Sequence, residues 1–394
     1  MGIIIKNICK SFAKQAVLEN LSLTVEKGEF HVILGPSGEG KSTLLGIMAG
    51  LIQPDHGDVY IRHQRVNKFA PEKRKIGFVF QNHALFPHLT VYENIAYGLR
   101  ARGLNGKKIK KIVAHYLELV KLQELHNRYP FQLSGGQKQR TAITRALAFE
   151  PDALLMDEPL SHLDVLERER IRDELKRIQT ATQVTICYVT HDHSEAAALA
   201  DRISILHRGR IEQVEQPEDI FYHPKTAFVA EFVGADNIFN AEFITANGDT
   251  TTFNLNSPEL TAQLEIEART YPIFAGKTEQ KLCLHPEKIV VSHTPNGKNS
   301  FLVHIIDIVP QGAIFKVTGE ISGLKLRAVV PKAAFKINSH TEKIWFCFSP
   351  DALHPLCGRS CRAALPQRKC YKCDRHGHEL AGVSPAITLK GGNM

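Results

Sequence analysis

Long apolar runs are missing from this sequence. No stretch of about eighteen apolar residues occurs, the length a bilayer demands of a crossing helix, so no membrane-spanning helix is expected. The amino terminus, Met1 to Lys6, lacks the extended apolar core and the cleavage site of a secretion signal. Membrane attachment is therefore expected through a partner. A strong charge bias is missing as well. The formal net charge is +8, and the segment from Asp351 onward holds seven Lys/Arg against three Asp/Glu, so half of the excess sits in the tail. The rest is only mildly basic, which argues against a dedicated nucleic-acid binder, and no nucleic-acid partner is expected. Four of the eight cysteines, Cys9, Cys187, Cys283 and Cys347, are scattered through apolar or strand-like surroundings. They read as reduced core thiols of a cytoplasmic protein. At 394 residues the chain exceeds one ordinary core, and about two or three domains are expected.

What is present centres on Gly35–Ser42, which fits the phosphate-loop pattern G-x-x-x-x-G-K-[ST], with Thr43 following. Before it, Phe30–Leu34 is a β-branched apolar run that reads as a buried strand. After it, Leu44, Leu45, Ile47, Met48 and Leu51 recur at helical spacing until Gly50 and Pro54 end the helix. Glycines at 35, 38 and 40 let backbone N–H groups turn inward around phosphate oxygens, aided by the positive end of the helix. Pro36 and Ser37 complete that cradle. Lys41 is expected to reach the terminal phosphates, and the Ser42 hydroxyl to ligate magnesium. Glu39 is out of place, since an anion there repels phosphate unless its side chain points to solvent.

Residues 3–8 and 21–26 alternate apolar and polar on either side of Ser11–Ala16, as a hairpin-like pair does. Phe12 stands where an aromatic stacks on a purine ring, or packs on the core as a turn residue. Ile76–Phe80 is another strand delivering Gln81, an amide that suits contact with a metal or water, or an ordinary loop position. Thr90 with Glu93 forms a capping box opening a helix, and Lys107–Glu124 reads as an amphipathic helix. Leu133–Arg140 starts a helix at Ser134, Gly135 and Gly136, a second place built to receive anions. Ala153–Pro159 is a buried strand ending in two carboxylates. Asp157 suits magnesium, and Glu158, one step further out, suits orienting or deprotonating the attacking water, unless both are solvated turn residues. A charged helix is expected from Val165 to Gln179, then a strand Val184–Val189 leading to His191, a structural hydrogen-bonder or a phosphate sensor.

Taken together, these residues resemble the ATP-binding subunit of an ABC transporter over roughly residues 1–235. The phosphate loop, Gln81, the LSGGQ-type signature at 133–140, the acidic strand at 153–159, the aspartate loop at 161–164 and His191 occur in that family's order. The departures are Glu39, Lys138 in the signature and His162 in the aspartate loop. The resemblance implies a head-to-tail homodimer closed by ATP. Lys41 of one copy and Ser134, Gly135 and Gly136 of the other would share a γ-phosphate, with Gln137 and Asp164 also across the dimer. It further implies Glu158 as catalytic base, Asp157, Ser42 and Gln81 around magnesium, and His191 on the γ-phosphate. Residues Pro87–Leu99 resemble the surface that docks an integral membrane permease, itself fed by a periplasmic or extracellular substrate-binding protein. The protein would sit peripherally on the cytoplasmic face of the membrane. A soluble ABC protein working on DNA or ribosomes would show a long coiled-coil insertion or two ATPase halves, and neither occurs. A non-catalytic metal-sensing regulator would be expected to lose Glu158 or His191, and both are intact.

After Phe228–Asn237 the chain turns to short β-like runs at 238–243, 251–255, 281–284, 288–292, 301–309, 313–318 and 324–330. The expected architecture is thus an α/β P-loop ATPase domain of ABC type (1–235), a small all-β barrel (236–350) and a Cys-rich basic tail (351–394). The barrel resembles the TOBE-like regulatory domain of importers of molybdate, tungstate, ferric iron, polyamines and sugars. Asn82–Gly98 and Phe232–Phe239 look most like the molybdate/tungstate subunits, with iron and polyamine importers next. In the tail, Cys357, Cys361, Cys370 and Cys373 precede His376 and His378. Four thiolates with imidazoles suit tetrahedral zinc or an iron–sulfur centre, or form a cationic tail with exposed thiols.

Overall fold

The computed structural model of the chain describes residues 2–256, 264–269, 279–333 and 342–356. The zinc expectation at Cys357, Cys361, Cys370 and Cys373 lies outside the described residues. The chain divides into two units, Met1–Gly234 and Ala235 onward.

The first unit begins β1 (Ile3–Phe12), β2 (Gln15–Val25), β3 (Phe30–Leu34), α1 (Lys41–Ala49), β4 (His56–Ile61), β5 (Gln64–Arg65) and β6 (Ile76–Val79). Three helices follow, α2 (Val91–Ala101), α3 (Gly106–Leu119) and α4 (Gly135–Leu147). It continues through β7 (Ala153–Asp157), α5 (Val165–Thr182), β8 (Thr185–Thr190), α6 (His193–Leu199), β9 (Arg202–His207) and β10 (Arg210–Glu215). Two short helices, α7 (Pro217–Tyr222) and α8 (Ala227–Phe232), close it.

Six of these strands form a sheet in the order β10-β9-β3-β8-β7-β6, parallel except at the β10 edge. The continuous apolar runs expected of a sheet covered on both faces are what the core requires. Alternate residues of one strand serve opposite layers, because the side-chain period of a strand is two. Val32, Leu34, Leu154, Met156 and Tyr188 join the helical layer. Ile33, Leu155, Cys187 and Val189 join the layer formed with α1 and the antiparallel β2-β1-β4-β5 sheet. The expected pairing of the first two strands is present, with Ile3 opposite Val25 and Ile5 opposite Leu23. The helix expected over Lys107–Glu124 stops at Leu119, since Lys121 turns into the left-handed region at φ 54. The strand expected to reach Phe80 ends at Val79, where the Phe80 ring stands 40% exposed.

The second unit holds two antiparallel five-stranded sheets, where the sequence led us to expect a barrel. One contains β11 (Asn237–Asn247), β12 (Thr250–Asn256), β13 (Glu265–Arg269) and β14 (Glu279–Leu284). The other contains β15 (Val290–Ser292), β16 (Asn299–Gln311), β17 (Ile314–Ile321), β18 (Leu324–Pro331) and β19 (Lys343–Phe348). The two sheets share one core, with Phe239, Phe253 and Leu282 from the first meeting Val303, Val317 and Phe346 from the second. Residues Leu353–Leu356 form β20, paired with β14, although the sequence reading assigned them to the tail. Leu353 and Leu356 are buried there, and that apolar pair is what holds the segment in the sheet. Of the four scattered cysteines, Cys187, Cys283 and Cys347 are buried free thiols and Cys9 is partly exposed. Burial pushes the Cys283 thiol up to about 12, which leaves it inert as a nucleophile.

Candidate nucleotide site

Lys41 opens α1 directly after β3, the strand–loop–helix arrangement a phosphate cradle needs. Gly38 and Gly40 take φ of 82° and 92°, which disfavours any side chain there. Gly35 has an ordinary φ but lies so close to β9 that a Cβ would run into the Leu206 carbonyl. The Lys41 side chain is buried, and its Nζ donates to the carbonyls of Gly35 at 2.9 Å and Pro36 at 2.7 Å. Burial holds that ammonium below its ordinary range, while the charges of Glu158, Asp157 and Glu39 oppose the shift.

The acidic strand β7 brings its end to this loop. Ser42 Oγ donates to Asp157 Oδ1 at 2.9 Å. Burial pushes the Asp157 carboxyl up and the Glu158 charge adds to it, while the Ser42 bond and Lys41 pull the other way. A hydroxyl and a carboxylate side by side are hard oxygen donors, the set magnesium takes. Glu158 adopts φ 41, and its N–H donates to the Val189 carbonyl at 3.0 Å. Its Oε2 lies 3.2 Å from His191 Nδ1, so the two strand ends carry one side-chain pair. A cavity of about 60 Å³ beside them is lined by Glu158, Ser161, Arg168, Thr190, His191, Asp192 and Glu195.

Gln81 meets a different neighbour from the Ser42–Asp157 pair expected of it. Its Nε2 donates to Ser161 Oγ at 3.4 Å, and that hydroxyl donates to the Glu158 carbonyl at 3.0 Å. The loop after Gln81 is shaped by left-handed residues at His83 (φ 64) and Ala84 (φ 46). Arg145, on α4, holds it by donating to the carbonyls of Ala84 at 2.7 Å and His83 at 3.2 Å. Phe12 is 47% exposed at the end of β1, with Lys10 Nζ 5.2 Å from its ring centroid. Thr43 lies in the first turn of α1.

At the signature, Ser134 caps α4 as half of a reciprocal pair. Its Oγ accepts the Gln137 N–H at 3.3 Å and Gln137 Oε1 accepts the Ser134 N–H at 3.0 Å. Gly136 is buried, and a Cβ on it would collide with the Glu167 carboxylate. Asp164 caps α5 through the Glu167 N–H at 2.9 Å.

Sequence reasoning missed the supports of these groups. Glu39 does not point to solvent. Its carboxylate pairs with His207 Nδ1 at 3.2 Å and accepts the Arg208 N–H. Arg168 bonds Asp192 at 3.1 Å, and Glu195 accepts from Tyr188 at 2.7 Å and Thr190 at 2.8 Å. The only local signal was the polar residue adjoining each motif.

Residues 18–161 match the family described as ABC transporter. The chain is 36% identical over 347 residues to the Fe(3+) ions import ATP-binding protein FbpC of Fusobacterium nucleatum, spanning 85% of this chain and 90% of that one. The chain belongs to the ABC transporter family. It is also 39% identical over 310 residues to the spermidine/putrescine import ATP-binding protein PotA of Pasteurella multocida, spanning 77% of this chain and 81% of that one. Among solved structures, the ATP-binding cassette MJ0796, a dimer in a post-hydrolysis state bound to ADP and Pi, is 36% identical with a TM-score of 0.50. That match covers 55% of this chain and 98% of MJ0796. The ABC chain is thus an importer-type ATP-binding subunit and an ATPase, with an all-β region after its nucleotide-binding unit. Among the described residues, no helix is long and apolar enough to cross a membrane.

Proposed function

We propose that this chain drives a membrane importer by hydrolysing ATP between two copies of itself at the cytoplasmic face of the membrane. The observation that carries the reading is the Glu158–His191 pair, set beside Ser42–Asp157 and the buried Lys41. The glycine cradle and the hard-oxygen donor set fit ATP with magnesium, which when bound supplies the scissile γ-phosphate and neutralises its charge. Lys41, here bonded to the loop carbonyls of Gly35 and Pro36, would donate to the phosphate oxygens. Ser42 and Asp157 would hold the magnesium, with Gln81, here bonded to Ser161, as a further oxygen ligand. Glu158 takes the proton of the attacking water, and His191 orients that water and the γ-phosphate. The exposed Phe12 ring would stack on the base, with Gly35, Pro36, Ser37, Gly38, Gly40 and Thr43 around the phosphates. Ser134, Gly135, Gly136 and Gln137, with Asp164, complete the site of the partner copy.

The same reading assigns permease docking to the surface around Pro87–Leu99. There Phe86 packs on Tyr97 with centroids 4.5 Å apart, and Tyr97 is 51% exposed. A substrate-binding protein would act indirectly, through the permease. The two-sheet unit is proposed to be the TOBE-like regulatory domain. For the cargo, an oxyanion such as molybdate or tungstate is supported by residues 82–98 and 232–239. A second reading, ferric iron or a polyamine, is favoured by relatives of those names whose matches extend beyond the nucleotide-binding unit. The test is the molybdenum, tungsten and iron content of cells lacking this protein, complemented with wild type or Glu158→Gln. Restoration of molybdenum or tungsten by wild type alone supports the oxyanion. Restoration of iron alone supports the second reading, and equal restoration by Glu158→Gln would overturn the ATPase role.

A further inference from the structure

Glu39 sits between two glycines in the left-handed region, Gly38 at φ 82 and Gly40 at φ 92. Backbone with a glycine on each side has little rigidity of its own. Something outside the loop must fix it, and the structure shows what does. One carboxylate oxygen of Glu39 pairs with His207 Nδ1 at 3.2 Å, and the other accepts the Arg208 N–H. His207 ends β9 and Arg208 follows it in the tight turn to β10. Both side chains are largely withdrawn from solvent, Glu39 at 18% and His207 at 17%.

The turn is itself anchored on its far side. The Gly209 carbonyl accepts the Glu19 N–H at 3.0 Å, and Arg210 bonds Glu19 Oε2 at 2.7 Å. The His207 ring lies flat on Phe228 of α8, with centroids 3.5 Å apart and planes 10° from parallel. On the loop's other flank, a Cβ at Gly40 would run into Val17 and Leu18 of β2. The phosphate loop is therefore wedged between β2 and the β9–β10 turn, with Glu39 as its bolt.

We infer that Glu39 and His207 are positioning residues for the phosphate loop: the pair turns the carboxylate away from the phosphates and fixes the N–H groups that receive them. A carboxylate in this loop is then compatible with an anionic ligand because both its oxygens are committed to the turn. Donors held in place before the ligand arrives bind it more tightly than donors that must be ordered on binding. Neither residue touches the reacting atoms, so the effect falls on ATP affinity rather than on the chemical step. The inference rests on residues 35–43 being the ATP site.

The experiment measures ATP affinity, KM, kcat and Tm for Glu39→Ala, Glu39→Gln, His207→Ala and the Glu39→Ala/His207→Ala double variant, with Lys41→Ala alongside. In Glu39→Gln the amide oxygen accepts the Arg208 N–H while the amide NH2 donates to Nδ1 of a neutral His207 protonated at Nε2, so the variant tethers the loop without the charge. Positioning requires Glu39→Ala to raise KM and Kd for ATP about tenfold, the worth of one charge-assisted hydrogen bond, with kcat and Tm held. Glu39→Gln must restore wild-type affinity, and the double variant must bind no worse than Glu39→Ala. Tighter ATP binding by both Glu39 variants would show a merely repulsive anion and overturn the inference. So would unchanged affinity in Glu39→Ala, or additive losses in the double variant. Wild-type ATP binding by Lys41→Ala would overturn the site reading itself, and with it the inference. Loss in Lys41→Ala with no change in Glu39→Ala would remove the positioning role alone.

Discussion

Glu158 Oε2 and His191 Nδ1 lie 3.2 Å apart, and the Glu158 backbone is fixed at φ 41 by its bond to Val189, two residues before that histidine. A non-glycine residue held left-handed at a strand end is a sparsely populated conformation, and it aims the carboxylate at the histidine. Glu158→Gln keeps the shape and removes the proposed base. Phosphate release is expected to fall about 10²–10⁴-fold, the scale of a lost general base, while ATP binding is kept. Single-turnover hydrolysis with a parallel binding titration checks this, and normal turnover would remove Glu158 from the role.

Gly35 has no left-handed backbone, so its requirement is one of space alone. Gly35→Ala must push the loop away from the Leu206 carbonyl. ATP affinity is expected to drop at least about tenfold, with destabilisation of about 1–3 kcal/mol from overpacking. Isothermal titration with ATP and urea unfolding measure the two effects, and unchanged values in both would mean that the loop relaxes freely.

Glu195 gives a pH signature. Burial raises its carboxyl, against the hydrogen bonds from Tyr188 and Thr190 that lower it. The folded state therefore holds this proton more firmly than the unfolded chain does. Its contribution to stability falls as pH rises from the ordinary carboxylate range of about 4.3 through the raised folded value, then levels off. Glu195→Gln has no proton to lose. Its stability relative to wild type is expected to improve with rising pH across that window, read by urea unfolding at several pH values. A constant difference would contradict the raised carboxyl.

Two stability variants separate a helix cap from a core. Thr90→Ala removes the hydroxyl that accepts the Glu93 N–H at 3.2 Å, and about 1 kcal/mol is expected to go with it. Phe346→Ala empties a fully buried position in the core of the second unit, with about 3–5 kcal/mol expected. Because the units have separate cores, unfolding monitored in each should show Thr90→Ala acting on the first and Phe346→Ala on the second.

What the sequence disclosed was local. The phosphate loop, the Thr90–Glu93 capping box and the apolar strands ending in Asp157 and His191 are patterns within a few neighbours, and periodicity exposes them. The Glu39–His207 contact joins residues 168 apart, and no short window contains both. The sequence could mark Glu39 as out of place among phosphates, but it could not show that the carboxylate is turned to His207. Gln81 was legible as an amide leaving a strand, but its meeting with Ser161 depends on how the aspartate loop folds. The two sheets of the second unit were legible as strands and not as an architecture, since sheet membership is set by pairings such as β16 with β19.

The order of strands in the first sheet has a consequence for synthesis. Strand β3 carries the phosphate loop, and its neighbours are β8 and β9, with Phe30 opposite Ile186 and His31 opposite Arg202. A ribosome releases β3 long before either neighbour exists, so the loop leaves the exit tunnel with no sheet to hold it. Non-local parallel pairing is slow to form and leaves unpaired edges exposed meanwhile. The nascent chain can therefore acquire its grip on ATP only when almost all of the first unit has been made. The hairpins of the second unit, by contrast, can close as they emerge.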